Sequence, residues 1–157
     1  MKMRNLWIAV VLTALALPAV AQTSVKAQVF SSADVHRQLD TLALEARAQG
    51  SSGATLGDYG SHALKLSVRS TSGGAEVHAH FDDVIVVTGG KADLVTGGTV
   101  IDPQTGADGE TKGTGIRDGQ TQAVAVDDVL HIPAGTPHQM IVPKGTVFSA
   151  FVVKVRE

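Results

Sequence analysis

Two short stretches of the chain carry histidines and carboxylates at spacings that suit a metal site. Residues 76–83 read EVHAHFDD, and residues 133–138 read PAGTPH. Residues two apart in a β-strand face the same side, so Glu76, His78 and His80 share one face. The prolines and the glycine of the second stretch predict a tight turn, which gives His138 the defined direction that a metal ligand needs.

The alternative for His138 is a turn residue that hydrogen-bonds to nearby backbone. The other histidines are interpreted as bystanders. His36 lies on a predicted helix and is expected to be solvated, His62 precedes a strand at the surface, and His131 is expected to be half-buried in a strand.

Short strands and turns must position these residues. Apolar patterns with Gly and Pro between them predict strands at 64–68, 76–80, 84–87, 92–95, 123–126, 129–132, 139–142 and 147–155. Many short strands with no helix between them predict an all-β antiparallel sandwich or barrel. Residues 97–121 are rich in Gly, Thr and Asp and are expected to form a mobile lid or a long hairpin. Three charged residues in this segment are interpreted as solvated, with a role in gating the site as the alternative: Glu110, Lys112 and Arg117.

One α-helix is predicted before the strands. Ser31 or Ser32 is a suitable N-cap, and Gly50 is suited to end the helix. Between them, four apolar residues recur at helical spacing: Val35, Leu39, Leu42 and Ala46. This stripe must pack on the sheet or on a second subunit. Together with the apolar strand at 147–155, it leads us to expect a homodimer.

The first 21 residues are predicted to be a secretory signal peptide. Lys2 and Arg4 form a basic start, residues 6–17 are an apolar run too short for a bilayer, and Ala21 ends a small-residue cleavage site. An uncleaved membrane anchor is the alternative. We therefore expect a secreted or periplasmic protein with a signal peptide at 1–21, an extension and helix at 22–50, and one β-domain at 51–157.

The composition after residue 21 excludes several classes of function. The 13 Lys and Arg of the whole chain, less Lys2 and Arg4, leave 11 against 15 Asp and Glu. An acidic domain without a basic patch predicts no nucleic-acid partner. No second apolar run approaches the length of a membrane span, so no membrane contact is expected after cleavage. The chain has no cysteine, which excludes disulfides and thiolate metal ligands.

The second stretch resembles the second motif of the cupin superfamily, in outline G-x5-P-x-G-x2-H-x3-N. Pro133, Gly135 and His138 occupy the central positions. Asp127 stands at the Gly position and Val142 at the final Asn position, so the match has two departures.

The first cupin motif, in outline G-x5-H-x-H-x3,4-E-x6-G, fits in two registers. The first register uses His78 and His80 as the His pair, leaves a hydrophobic residue at the Glu position, and requires Asp82 or Asp83 to substitute. The second register counts back from Gly90. It places Asp83 at the Glu position, His78 at the second His and Glu76 at the first, without insertion or deletion. We favour the second register.

The resemblance implies a jelly-roll β-barrel with the site in its mouth, and the predicted helix packed outside it. It implies four metal ligands: Glu76, His78, Asp83 and His138. His80 or Asp82 is then the candidate for proton transfer. An imidazole and carboxylate set favours a divalent metal ion, with Mn or Fe ahead of Zn or Ni.

The expected function is that of an exported single-domain cupin that uses its metal on a small-molecule substrate, as an oxygenase, isomerase or lyase. The alternative is a non-catalytic exported cupin that binds a sugar or a small organic acid. Because the first motif lacks one His and the Glu, a cupin without a metal also stays open.

Overall fold

The computed structural model describes residues 26–157, which form one helix followed by thirteen short strands. The helix α1 spans Ser32–Gln49. The strands are β1 (Ser51–Asp58), β2 (His62–Arg69), β3 (Ala75–Val77), β4 (Phe81–Gly89), β5 (Lys91–Thr96), β6 (Thr99–Ile101), β7 (Gln104–Thr105), β8 (Thr111–Gly113), β9 (Gly115–Arg117), β10 (Gln120–Ala125), β11 (Val129–Ile132), β12 (His138–Ile141) and β13 (Phe148–Arg156). The predicted signal peptide lies outside the described residues. Within them, no helix has the length and hydropathy needed to cross a membrane.

Helix α1 begins and ends where the sequence predicts. The Ser31 side chain accepts a hydrogen bond from the Asp34 backbone N–H at 3.1 Å, which satisfies one of the unpaired donors of the first turn. Gly50 has a φ of +92°, and its N–H donates to the Ala46 carbonyl. A glycine adopts this conformation without the steric strain of a side chain, so the chain turns here into β1.

Two larger antiparallel sheets face each other. The first sheet has the strand order β1-β2-β13-β4-β11, and the second has the order β10-β5-β12-β3-β8-β7. Their facing sides form one apolar core, in which Ile85, Val87 and Phe148 of the first sheet meet Leu94 and Val124 of the second. This is the all-β architecture that the strand pattern predicts, and it agrees with the jelly-roll that the cupin resemblance implies.

The outer face of the first sheet is covered by α1. Leu39, Leu42 and Ala46 of the helix pack on Leu66 and Val68 of β2, and all five side chains are buried. The predicted position of the helix, outside the β-domain, is therefore confirmed.

Strand β13 has apolar contacts on both faces within one chain. Phe148 faces the core between the sheets, whereas Phe151 packs against the cluster beneath α1. The helix stripe and this strand, which led us to expect a homodimer, are thus covered without a second subunit. The dimer stays a prediction.

Two regions differ from the predicted strands. Strand β1 is rich in Ser and Gly and carries no apolar run, yet it pairs with β2 along its whole length. Residues 97–121 form paired strands: β6 pairs with β9, and β7 pairs with β8. The second of these pairs continues the second sheet, because β8 also pairs with β3. The segment is therefore a long hairpin that lies against the strand carrying Glu76.

Candidate metal centre

Strand pairing brings the two histidine stretches together. The Cα atoms of Glu76 in β3 and His138 in β12 are direct antiparallel partners. Strand β3 ends at Val77, and His78 follows it with its side chain buried. The ligand atoms of Glu76, His78 and His138 all lie within 4.8 Å of one another.

The turn before His138 is fixed by backbone hydrogen bonds. Gly135, with a φ of +73°, donates its N–H to the His78 carbonyl at 2.8 Å. Gly97 donates its N–H to the Pro137 carbonyl, also at 2.8 Å. The Pro-rich turn is therefore hydrogen-bonded both to the segment that carries His78 and to the residue after β5. These bonds fix the position of His138 relative to His78.

Both imidazoles have Nδ1 engaged on the side away from the cluster. His138 Nδ1 lies 3.0 Å from the Thr136 carbonyl, and His78 Nδ1 contacts the Glu110 carboxylate. Since a carbonyl oxygen and a carboxylate only accept, each Nδ1 carries the proton and donates it. Each Nε2 is then left to offer a lone pair. Metal-binding histidines in proteins are commonly oriented in this way.

Asp83 lies between the histidine pair and a lysine. Its Oδ2 is 3.3 Å from His78 Nε2 and 4.0 Å from His138 Nε2. Its Oδ1 is buried and accepts no hydrogen bond of good geometry, although Lys154 Nζ is 3.3 Å away. A lone pair on His78 Nε2 and one on Asp83 Oδ2 repel each other at this distance unless a proton or a metal ion lies between them.

The charges around the cluster set its protonation. Burial lowers the pKa of the His78 imidazole, but the Asp83 and Glu110 carboxylates outweigh it and raise that pKa above its usual value. Burial lowers the pKa of His138, and the Thr136 carbonyl offsets this only in part. Burial raises the pKa of Asp83, but His78 and the Lys154 ammonium lower it overall. At neutral pH, therefore, His138 is neutral and Asp83 is ionised.

The residues present fit a divalent cation. The ligand atoms of Glu76, His78 and His138 converge, and Asp83 Oδ2 lies beside both imidazoles. The other Asp83 oxygen is buried without a hydrogen bond, and both imidazoles have tautomers that expose Nε2. Nitrogen and oxygen donors without sulfur suit first-row divalent metals. The raised pKa of His78 favours a second proton on Nε2, which a metal ion must displace, so binding to the protonated imidazole releases a proton.

The structure brings together the residues of the second register. His80, which the first register uses as a ligand, is exposed in the turn after His78. The Asp82 carboxylate accepts from the Ala134 N–H at 2.7 Å and lies 3.0 Å from His131 Nε2. Asp82 therefore fastens the turn that leads to His138. Neither His80 nor Asp82 lines the cavity, so the proton-transfer role predicted for them has no support in this geometry and stays a prediction.

The cluster opens into a cavity of about 550 Å³ between the two sheets. Its apolar wall includes Phe81, Ile85 and Phe148. A volume of this size accommodates a small organic molecule.

Several charged residues of the cavity were not predicted from the sequence. Glu110, for which the sequence favours a solvated charge over a role in gating the site, contacts His78. Lys154 on β13, and Lys65 and Arg69 on β2, also line the cavity. The position of Lys154 could have been predicted from the sequence, because residues two apart in a strand share a face and Lys154 therefore lies on the same face as Phe148. The position of Glu110 could not, because no periodic pattern surrounds it.

Comparison with known proteins shows similarity in structure and not in sequence. No protein-family model and no curated protein matches this sequence. A conserved protein of Klebsiella pneumoniae with a double-stranded β-helix domain superposes with a TM-score of 0.55 at 12% identity, covering 83% of this chain and 91% of that one. The cupin domain of Cnp3 from Schizosaccharomyces pombe superposes with a TM-score of 0.53 at 12% identity, covering 69% and 66%.

An enzyme is among the similar structures. The DMSP lyase DddQ from Ruegeria pomeroyi superposes with a TM-score of 0.51 at 14% identity and covers 70% of this chain. The present chain spans about half of that protein, 49% of its length. At these identities the similarity concerns the fold alone. The chain therefore has the cupin fold, which confirms, at the level of the fold, the resemblance carried by residues 76–90 and 127–142.

Proposed function

We propose that this chain is an exported single-domain cupin that binds one divalent metal ion and acts as a metal-dependent enzyme on a small molecule. The ligands would be Glu76, His78, Asp83 and His138. One observation carries the proposal. Two buried imidazoles have Nδ1 engaged by acceptors and direct Nε2 towards the same buried carboxylate at the edge of a cavity.

The donor set favours Mn or Fe over Zn or Ni, since two carboxylates accompany two imidazoles and no thiolate is present. When bound, the metal ion would act as a Lewis acid on an oxygen atom of the substrate. The chain supplies the rest. Glu110 and the Thr136 carbonyl fix the directions of the imidazoles, and Ile85 and Phe148 form an apolar part of the cavity wall.

Elemental analysis tests the metal directly. Residues 22–157, purified after export to a bacterial periplasm and without a metal-affinity tag, should carry near-stoichiometric Mn, Fe, Zn or Ni. The double variant His78→Ala/His138→Ala should lose it. The matched control is His36→Ala, because His36 is exposed on α1 and far from the cluster in sequence. The proposal fails if the wild-type protein neither carries a metal nor takes one up at neutral pH.

A non-catalytic cupin that binds a sugar or a small organic acid is the second candidate. The observation in its favour is a cavity wall with several basic side chains, because these would bind a ligand without taking part in a reaction. A ligand that raises the melting temperature of the metal-loaded protein by mass action, but is recovered unchanged after long incubation, would favour this candidate over the enzyme.

Export and assembly need their own tests. A signal peptide cut after Ala21 leaves a periplasmic protein that begins at Gln22, which intact-mass spectrometry detects. For the predicted homodimer, light scattering at tens of micromolar should give twice the mass of the chain. A monomeric mass would contradict it.

A further inference from the structure

A row of basic side chains lines the cavity from the side of the first sheet. Along β2, Leu66 and Val68 face α1, so the residues that alternate with them face the space between the sheets. These inward residues include Lys65 and Arg69, about 13 Å apart along the strand at its usual rise per residue. Lys154 lies on the adjacent strand β13 and points into the same cavity.

The basic side chains differ in their partners. Lys154 Nζ lies 3.3 Å from Asp83 Oδ1, and an Arg69 nitrogen lies 3.7 Å from Glu76 Oε1. Each of these cations therefore neutralises a carboxylate that belongs to the candidate metal centre. Lys65 has no carboxylate within 4.0 Å among residues 26–157, although it lines the cavity. A cation that lines a cavity and has no carboxylate within ion-pair distance favours an anion from outside the protein.

The charge of the cavity changes when a metal ion binds. Four basic residues line the cavity: Lys65, Arg69, Lys112 and Lys154. Four acidic residues also line it: Glu76, Asp83, Asp108 and Glu110. With neutral histidines these charges cancel, so a divalent metal ion leaves the cavity with a net charge of two positive. The metal also takes over the carboxylates that Arg69 and Lys154 neutralise, which frees both cations for a ligand.

We propose that the ligand of this cavity is a small organic acid, whose carboxylate is held by the basic row of Lys65, Arg69 and Lys154 while the rest of the molecule faces the metal centre. This inference rests on the proposed metal site. Guanidinium and ammonium groups bind a carboxylate by charge-assisted hydrogen bonds, and a partly enclosed cavity strengthens them relative to water. A neutral sugar would leave the positive charge of this partly enclosed cavity without a counter-charge.

The test uses matched pairs of carboxylates and their neutral amides. Acetate and acetamide, succinate and succinamide, and benzoate and benzamide are titrated into the Mn-loaded protein, and binding is followed by calorimetry and by melting temperature. Glucose and methyl phosphate are included as a neutral sugar and as a different anion. At least one carboxylate should bind tenfold or more tightly than its amide, and its binding should weaken when the metal is removed.

Variants of Lys65 separate this inference from the metal site, because Lys65 contacts none of the metal ligands. Lys65→Met should weaken carboxylate binding about tenfold, and Lys65→Glu should abolish it, both with unchanged metal content. Lys144→Met is the matched control, since Lys144 is exposed in the loop before β13. It should change neither property.

Three outcomes would overturn the inference while the metal site stands, and a fourth would overturn the metal site on which it rests. Carboxylates that bind no better than their amides or glucose, in a protein that holds its metal, refute the organic acid and leave the metal site intact. Tighter binding of methyl phosphate than of every carboxylate replaces the organic acid with a phosphate ester. If Lys65→Glu leaves carboxylate binding unchanged, the basic row is excluded as the binding site of the carboxylate. Loss of the metal from the wild-type protein refutes the metal site itself, which elemental analysis of the same sample detects.

Discussion

The two faces of strand β2 are made of alternating residues, yet they have opposite characters. Leu66 and Val68 lie beneath α1 with 1% and 0% of their surface exposed. Lys65 and Arg69, which alternate with them, face the cavity between the sheets. Burial of apolar groups is the main favourable contribution to folding, whereas burial of charged groups is costly. The helix-covered face therefore stabilises the sheet. This stabilisation offsets the cost of placing the charged side chains of the other face in the cavity, where they are available to bind a ligand.

The largest effect is expected on the helix-covered face. Leu66→Ala removes a fully buried side chain and should lower the free energy of unfolding by about 3 kcal/mol, since such truncations leave a cavity in a packed core. Urea unfolding of the metal-free protein measures it. Metal affinity at low temperature should not change, because Leu66 faces away from the cluster.

Leu44→Ala is the matched control for this prediction. Leu44 lies on the same helix as the stripe, but 68% of its surface is exposed. It should change stability by less than about 0.5 kcal/mol. Equal losses for the two variants would show that α1 does not pack on β2 as described.

The same contrast explains what the sequence of β2 could and could not predict. The alternation of Leu66 and Val68 with polar residues predicts a strand with one buried face, and this is correct. The usual interpretation places the polar face in solvent. Here a second sheet covers that face, so Lys65 and Arg69 line a cavity. Alternation reveals that two faces differ, but a sequence pattern does not reveal that the polar face is also enclosed.

The next effect concerns Glu110, which acts on the cluster through His78. Glu110→Gln keeps a hydrogen-bond acceptor for Nδ1 but removes the negative charge that fixes the imidazole and raises its basicity. We expect metal affinity to fall about tenfold, which is at the low end of the losses seen when residues that orient metal ligands are replaced. Competition with a chelating dye measures it, with Glu45→Gln on the exposed side of α1 as the control. Unchanged affinity would mean that the contact with His78 does not persist in solution.

Glu110 also marks the limit of prediction for the site. The motifs around His78 and His138 are local, so the resemblance to the cupin motifs proposes a ligand set, with two registers open at the first motif. Glu110 lies 32 residues from His78 and approaches it because β8 pairs with β3. That pairing joins a Gly-rich and Thr-rich segment to a strand of three residues, and neither partner carries a periodic apolar pattern. Contacts that arise from such pairings require the tertiary structure.

A smaller effect is expected at Lys154, where a substitution should strengthen metal binding and not weaken it. Its ammonium repels a divalent ion next to Asp83, so Lys154→Met should bind the metal about fivefold more tightly, or by about 1 kcal/mol. The same variant should bind carboxylates more weakly, because one cation of the basic row is lost. Parallel titrations with metal and with succinate measure both. Weaker metal binding would show that Lys154 serves chiefly to hold Asp83 in place.

The smallest effect returns to the helix that covers the outer face. A hydrogen bond from Ser31 and the charge of Arg37 lower the pKa of Asp34, in the first turn of α1. Because the folded-state pKa lies below the unfolded value of about 3.9, this carboxylate stabilises the fold above that pH, and the contribution disappears as the pH falls through the folded-state pKa. Asp34→Asn should therefore melt at a lower temperature than the wild-type protein at pH 7. The difference should shrink below a pH of about 4.

Melting curves of the metal-free proteins between pH 3 and pH 7 measure this difference. Asp40→Asn is the control, because Asp40 is exposed on the same helix and makes no side-chain hydrogen bond or ion pair among the described residues. A difference for Asp34→Asn that is constant with pH would exclude a contribution from its charge. Since Asp34 lies far in sequence from the metal ligands, metal affinity should be the same in both variants. A change in affinity would show that the helix-covered face and the cavity face of the sheet are coupled.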